Sequence, residues 1–168
     1  MSVKTASFLS RMTFALSAAA FATTLGASSA AFARDDEITV TITQVRALDK
    51  ADAFLGDDLY ARVTISGEMF KTQRVAQQQD IIPDWKISKT VQRGVHDVKV
   101  EIFDKDVFSP DDEIDINRLP NKRDLDFTVN TRNCRIDGFA NRYRCHQQIR
   151  RAGDDRKKAE IIFYVTVN

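Results

Sequence analysis

Four aspartates lie close together in the middle of the chain: Asp104, Asp106, Asp111 and Asp112. Carboxylates at this spacing repel one another unless water solvates them or a hard cation lies between them. Ca²⁺ binds about six to eight oxygen ligands in a loosely constrained shell, and aspartate side chains supply such ligands. The stretch therefore predicts either a solvated acidic turn or one half of a calcium site.

A second acidic stretch lies earlier in the chain, at residues 48–58, and it has the same character. Its aspartates are Asp49, Asp52, Asp57 and Asp58. Each acidic stretch carries an apolar tip, Phe54 and Leu55 in the first and Val107 and Phe108 in the second. The two stretches can act together only if the fold brings them to the same end of the molecule.

Residues 1–33 have the pattern of a secretory signal peptide. Lys4 and Arg11 give a basic start to an alanine-rich apolar run at residues 12–25, and Ala31-Phe32-Ala33 follows the small-x-small cleavage pattern. A membrane-anchoring helix is the alternative, but the run is short and rich in Ser, Thr and Ala. We therefore predict export to the periplasm or the extracellular space, and a single mature domain at residues 34–168.

Composition excludes little but disfavours two classes of function. The 168 residues are 43% apolar with a net charge of +1, which suits one globular domain and favours no partner by charge alone. The chain has two histidines and lacks Gly-x-Ser-x-Gly, His-Glu-x-x-His and glycine-rich phosphate-binding motifs. An enzyme is therefore the least favoured interpretation, and the predicted export argues against a nucleic-acid partner.

Short runs that alternate apolar and polar residues predict the elements that must position these side chains. Their spacing, without helical periodicity over three turns, predicts an all-β fold, an eight-stranded antiparallel β-sandwich. The predicted strands are residues 37–45, 59–65, 69–75, 85–91, 97–103, 113–117, 125–131 and 159–167. An EF-hand is excluded, because strands flank the loop that starts at Asp104, and Phe108 and Ser109 stand where an acid and a glycine are required.

Residues 132–158 form one long, basic connection between predicted strands. A connection of this length is typically functional or disordered. It contains both cysteines, Cys134 and Cys145, which in an oxidising compartment predict one local disulfide. A metal site of these cysteines with His146 is the alternative, although it lacks Cys-x-x-Cys spacing and a fourth ligand at a familiar distance. We therefore predict a basic insertion closed by a disulfide.

Four stretches resemble, in order, the signatures of the C2 domain family. Residues 38–48 resemble its opening strand, and Asp58-Leu59-Tyr60 resembles its Asp-Pro-Tyr strand start. Residues 71–72 and 82–85 resemble its Lys-Thr and Asn-Pro-x-Trp signatures, and residues 103–112 resemble its aspartate-rich third loop. Because the first strand leads straight into the first acidic loop, the resemblance implies the permuted second C2 topology. The two acidic loops, the connection at 77–83 and the basic insertion should then share one end, with both termini at the other.

The resemblance also implies a ligand set, since calcium-binding members of the family hold the ions with five aspartates from two loops. The family's spacing selects Asp52, Asp58, Asp104, Asp106 and Asp112. Two departures stand beside these residues: Leu59 replaces the usual proline, and Asp115 replaces the usual glycine. Asp57 and Asp111 leave open which member of each Asp-Asp pair is the ligand, and Asp49 is a weaker candidate.

As a function, the resemblance implies calcium-dependent docking to anionic phospholipid membranes. Calcium would neutralise the acidic loops and let Phe54, Leu55, Val107 and Phe108 reach the acyl boundary. Basic residues of the insertion would add attraction to an anionic surface; those expected there are Arg135, Arg142, Arg144, Arg150 and Arg151. The alternative for the apolar tips is that they pack against the insertion and contact no lipid. The alternative function is an exported protein-interaction or oligomerisation module in which calcium is structural.

Overall fold

Strands dominate the computed structural model of the protein, which describes residues 34–48, 58–76, 80–106 and 108–168. The strands are β1 (Asp35–Ala47), β2 (Asp58–Ile65), β3 (Glu68–Lys71), β4 (Val75–Ala76), β5 (Asp80–Ile81), β6 (Trp85–Gln92), β7 (Val95–Lys105), β8 (Asp112–Ile114), β9 (Leu125–Asn130), β10 (Arg135–Asp137), β11 (Tyr143–Arg144), β12 (Ile149–Ala152) and β13 (Ala159–Val167). The predicted signal peptide lies outside the described residues. So do several of the predicted site residues: Asp49, Asp52, Phe54, Leu55, Asp57 and Val107.

Two antiparallel sheets build the fold. The first has the order β12-β13-β1-β5, with β6 also paired to β1, and the second has the order β11-β10-β9-β7-β2-β3. Strand β4 pairs with β2, and β8 pairs with β7. The described part of the chain contains no helix, and therefore none with the length and apolarity of a membrane span. The prediction of an all-β antiparallel sandwich is confirmed.

The core lies between the two sheets and follows from the alternation in the sequence. Ile38, Val40 and Ile42 on β1 are fully buried, and they belong to the same apolar cluster as Val63 and Val100 from the other sheet. Burial of each such side chain contributes about 1.5–3 kcal/mol relative to exposure. This shared core fixes the register of the strands, because a slip of one residue would turn an apolar face to solvent.

Strand registers divide the sandwich into two ends. Asp104 on β7 lies opposite Leu59 on β2 and opposite Asp112 on β8, at the end where β1 leads into the first acidic loop. We call this the acidic end, defined by Asp58, Asp104, Asp106 and Asp112. At the other end, which we call the terminal end, Arg93 N donates to Arg34 O (3.2 Å) and Glu37 N donates to Asn168 O (2.9 Å).

The basic insertion at residues 132–158 runs between these two ends. It starts at the terminal end, where Thr131 N donates to Gly94 O (2.8 Å). Strands β10 and β11 extend one sheet and β12 extends the other, and only the segment after β12 reaches the acidic end, where Leu48 N donates to Lys158 O (3.0 Å). The prediction that the whole insertion lies beside the acidic loops is therefore wrong for its first part. The physical reason is that its short strands pair with the free edges of β9 and β13.

Candidate cation site at the acidic end

Two aspartates of the acidic end are positioned by the ladder on β7. Directly opposed residues of an antiparallel pair share one face of the sheet, so Asp104 and Asp112 lie on the face that carries the core residue Leu59. Asp104 is 2% exposed. A carboxylate this deeply buried requires positive charge or hydrogen bonds around it. The sequence of β7 therefore places negative charge at the rim of the apolar core.

The nearby positive charge comes from the insertion. Lys157 Nζ donates a hydrogen bond to Asp112 Oδ2. The pKa of Lys157 is raised by this hydrogen bond, and the negative charges of Asp112, Asp104 and Asp106 raise it further. The ammonium is thus held by Asp112, which lies opposite Asp104 in the β7–β8 ladder.

No group of three or more His, Cys, Asp or Glu side chains within the described residues is arranged to hold a metal ion. In this arrangement Asp112 pairs with the Lys157 ammonium. Their oxygen chemistry nevertheless suits Ca²⁺, which prefers hard carboxylate ligands. Asp104, Asp106 and Asp112 therefore fit a cation site by donor type. In this structure the Lys157 ammonium supplies positive charge to Asp112.

Asp111 differs from its neighbour Asp112. Its Oδ1 accepts from Lys105 Nζ (2.6 Å), and its Oδ2 accepts from the Tyr60 hydroxyl (2.6 Å). These two donors lower the pKa of Asp111, Lys105 more than Tyr60. Burial and the bond to Asp111 raise the pKa of Tyr60 to about 12. Asp111 is thus held by β2 and β7 side chains, while Asp112 lies with Asp104.

Asp58 reaches the acidic end but is held by a different partner. Its Oδ2 accepts from Arg74 Nη1 (2.9 Å). It lies opposite Lys105 at the start of β2 and next to the buried Leu59, so the alternation of the strand directs it to the other face. The structure therefore pairs Asp112, which lies opposite Asp104, with Lys157, and it pairs Asp58 with Arg74. Asp52, the remaining predicted ligand, lies outside the described residues.

A buried aspartate that the sequence analysis left without a role positions Lys157. Asp115 is 1% exposed, and its Oδ2 accepts from the backbone N of both Asp154 (2.9 Å) and Asp155 (2.8 Å). Its own backbone N donates to Lys157 O (2.9 Å). Asp115 therefore anchors the segment at residues 153–158 beside β8. The sequence did carry a signal for this role, because Asp115 replaces the glycine that the family usually has at this position.

Gly153 makes that anchoring possible. A Cβ atom at this position would lie 2.2 Å from Asp115 O, closer than any real contact. Only glycine allows the backbone of the insertion to approach Asp115 so closely. Lys157 itself has a φ of 55°, in the left-handed region. The local backbone conformation therefore allows the segment at residues 153–158 to contact Asp115, directly after β8.

Apolar side chains accompany the acidic end. Phe108, the described member of the predicted tips, is fully exposed at 101%. Ile82 is 80% exposed and follows β5, whose partners Val45 and Arg46 lie near the end of β1. The sequence analysis did not single out Ile82, although its position between an apolar strand residue and Pro83 in a connection was a usable signal.

A family profile for the C2 domain matches residues 36–133, which is more than half of the chain. This chain belongs to the C2 domain family. A comparison with curated protein sequences returned no match.

Solved structures with TM-scores above 0.5 show the same fold. A structure of a C2 domain is 12% identical, with a TM-score of 0.53 over 79% of this chain and 98% of that one. The structure of the paired C2 domains of extended synaptotagmin 2 is 12% identical, with a TM-score of 0.55 over 94% of this chain and 48% of that one. Human GIVD cytosolic phospholipase A2 is 17% identical, with a TM-score of 0.47, and this C2 domain spans 17% of its length.

The five arginines predicted to contact an anionic surface are dispersed over this C2 domain. Arg135 pairs with Asp137 (2.7 Å) on β10, and Arg150 pairs with Glu160 (2.9 Å) on the opposite sheet. Arg151 stacks on the ring of Phe139, with its Cζ 4.3 Å from the centroid. Both remaining arginines are exposed, Arg142 before β11 and Arg144 on it. The structure therefore does not gather the five side chains beside the acidic end.

The predicted disulfide between Cys134 and Cys145 is confirmed, with a Cα–Cα distance of 5.3 Å. Cys145 N also donates to Cys134 O (3.0 Å), and His146 N donates to Val165 O (2.9 Å). The crosslink thus closes the β10–β11 hairpin against the last strand. The crosslink therefore stabilises the terminal end of this C2 domain.

Proposed function

We propose that this C2 domain binds calcium through the aspartates of its acidic end and then docks on anionic phospholipid membranes. The observation that supports this best is the buried Asp104 opposite Asp112, whose carboxylate accepts a hydrogen bond from Lys157, at the end that carries the fully exposed Phe108. Calcium, when bound, would supply the positive charge that lets an acidic surface approach lipid phosphates. C2 domains are typically non-catalytic, so no reaction is proposed.

The described residues of the acidic end would have different roles in this function. Asp104 and Asp112 would hold the ion at the rim of the core, with Asp106 beside them. Asp112 is preferred over Asp111, because both oxygens of Asp111 already accept hydrogen bonds from Lys105 and Tyr60. Phe108 would enter the acyl boundary, which stabilises the contact by about 1.5–3 kcal/mol.

Export and topology belong to the same proposal. We infer export to the periplasm or the extracellular space from the pattern of residues 1–33. The permuted second C2 topology is inferred because β1 leads straight into the first acidic loop. Asp52, Phe54, Leu55 and Val107 would complete the calcium site and the apolar tips from outside the described residues.

Thermal unfolding with and without calcium tests the ion-binding step. We expect calcium to raise the unfolding midpoint of the wild-type protein, because an ion that binds only the folded state stabilises it. The double variant Asp104→Asn with Asp106→Asn should lose this rise. Asp97→Asn, an exposed change on the same strand toward the terminal end, should retain it. A rise that survives in the double variant would show that the ion binds elsewhere.

A protein-interaction module in which calcium is structural is the second candidate. It is favoured by exposed apolar side chains away from Phe108, namely Met69, Val95 and Leu119. Sedimentation velocity of the protein alone, with calcium and with chelator, separates the candidates. Calcium-dependent self-association without vesicle binding would favour the second candidate, whereas a monomer that binds vesicles favours the first.

A further inference from the structure

Three described carboxylates at or next to the acidic end form ion pairs, and each has a different basic partner. Asp58 pairs with Arg74, Asp111 with Lys105, and Asp112 with Lys157. The first two pairs lie within one sheet and its connections: Asp58 is on β2 and Lys105 on β7, while Arg74 precedes β4 and Asp111 precedes β8. The pair of Asp112 with Lys157 is different, because its lysine comes from the segment that links β12 and β13 of the other sheet.

Several backbone hydrogen bonds anchor the segment that carries Lys157. Asp115 accepts from the backbone of Asp154 and Asp155, and its own backbone holds Lys157 O and Ala159 N. Gly153, at the start of this segment, allows its backbone to approach Asp115 closely. These contacts fix the backbone of a side chain that would otherwise sample many positions, which lowers the entropy cost of the ion pair.

The position of the ammonium coincides with the donors of the proposed calcium site. Lys157 Nζ is hydrogen-bonded to Asp112 Oδ2, on the face shared with Asp104. A divalent ion on the same carboxylate oxygen would meet both the occupied lone pair and the repulsion of a second positive charge. The ion and the ammonium therefore exclude each other.

We propose that Lys157 is a built-in counter-cation of the acidic end, which calcium must displace before it can bind to Asp112. This inference rests on the proposed calcium function and names the regulation of that same site. In the absence of calcium, Lys157 neutralises Asp112 and keeps the acidic end folded. The segment at residues 153–158 therefore lowers the calcium affinity and raises the calcium concentration at which the module responds.

Calorimetric titration of calcium into the wild-type protein and Lys157→Gln tests the proposal. Without the ammonium, we expect calcium to bind about threefold to fivefold more tightly, which is the upper part of the range for one partly exposed ion pair. Without calcium, Lys157→Gln should unfold at a lower temperature than wild type, because Asp112 then lacks its partner. Lys157→Arg, which keeps the charge, should stay close to wild type in both measurements.

The matched control is Arg156→Gln, which removes one positive charge from the adjacent exposed position. It should bind calcium within about twofold of wild type, since no hydrogen bond or ion pair of its side chain involves an aspartate of the acidic end. Equal calcium affinity in wild type and Lys157→Gln would overturn the proposal that Lys157 is a counter-cation. Binding by Lys157→Gln but not by wild type would uphold it and overturn the proposed function instead. Absence of binding in both proteins would overturn both.

Discussion

Adjacent residues of the acidic end have opposite surroundings, and this decides which of them can hold an ion. Asp111 accepts hydrogen bonds from Lys105 and Tyr60, whereas Asp112 lies opposite Asp104 across the β7–β8 ladder. The two residues differ because Asp112 begins β8 and pairs with Asp104, whereas Asp111 precedes the strand and contacts Tyr60 and Lys105. Sequence spacing alone could not choose between the two aspartates, since both belong to one Asp-Asp pair.

Phe108 gives the most direct prediction at the scale of single residues. Because its side chain is fully exposed, Phe108→Ser should change the free energy of unfolding by no more than about 0.5 kcal/mol. The same change should weaken calcium-dependent binding to anionic vesicles by roughly tenfold or more, because the apolar contact with the acyl boundary is lost. Co-sedimentation with vesicles measures this.

Met69→Ser is the matched control for that change. Met69 is 56% exposed and lies on β3 opposite Thr64, away from the acidic end. It should leave vesicle binding unchanged. If Phe108→Ser also binds like wild type, the apolar tip does not contact the membrane.

Among the structural elements, the segment between β12 and β13 contacts the other sheet at the acidic end through its hydrogen bonds with Asp115. Asp115, which follows β8, receives three backbone hydrogen bonds through its carboxylate, from Asn117, Asp154 and Asp155. In Asp115→Asn the amide nitrogen must face at least one of these N–H groups. We expect a loss of about 1–3 kcal/mol in the free energy of unfolding, the cost of a buried polar group without a partner. Urea unfolding measures this loss.

Asp126→Asn serves as the control for Asp115→Asn. Asp126 lies on β9 with 48% of its side chain exposed and pairs only with Lys122 among the described ion pairs. Its loss should cost less than about 1 kcal/mol. A cost for Asp115→Asn no larger than this would mean that the anchoring of the segment contributes little to stability.

The extent to which sequence predicts these elements depends on their length. Strands such as β1 and β7 alternate over many residues, and the sequence analysis identified them. Strands β10, β11 and β12 are two to four residues long, too short for a pattern to stand out. They form because β9 and β13 present free edges, and that information exists only in the folded molecule.

Charge is distributed over the whole molecule in a way that composition hides. A net charge of +1 favours no partner, yet one end concentrates aspartates and the other carries the disulfide-closed hairpin. The sequence predicted the sandwich and the disulfide. It could not predict that Lys157 neutralises Asp112, because the two residues are 45 positions apart and meet only through the tertiary fold.

Co-sedimentation of the wild-type protein with lipid vesicles over a range of free calcium tests the central claim most directly. One set of vesicles contains phosphatidylserine and the other only phosphatidylcholine, and a chelator arm removes the ion. Calcium-dependent docking to anionic membranes predicts saturable binding to the phosphatidylserine vesicles that disappears with chelator and is weak with phosphatidylcholine. Equal binding to both vesicles, or binding that persists with chelator, would contradict it.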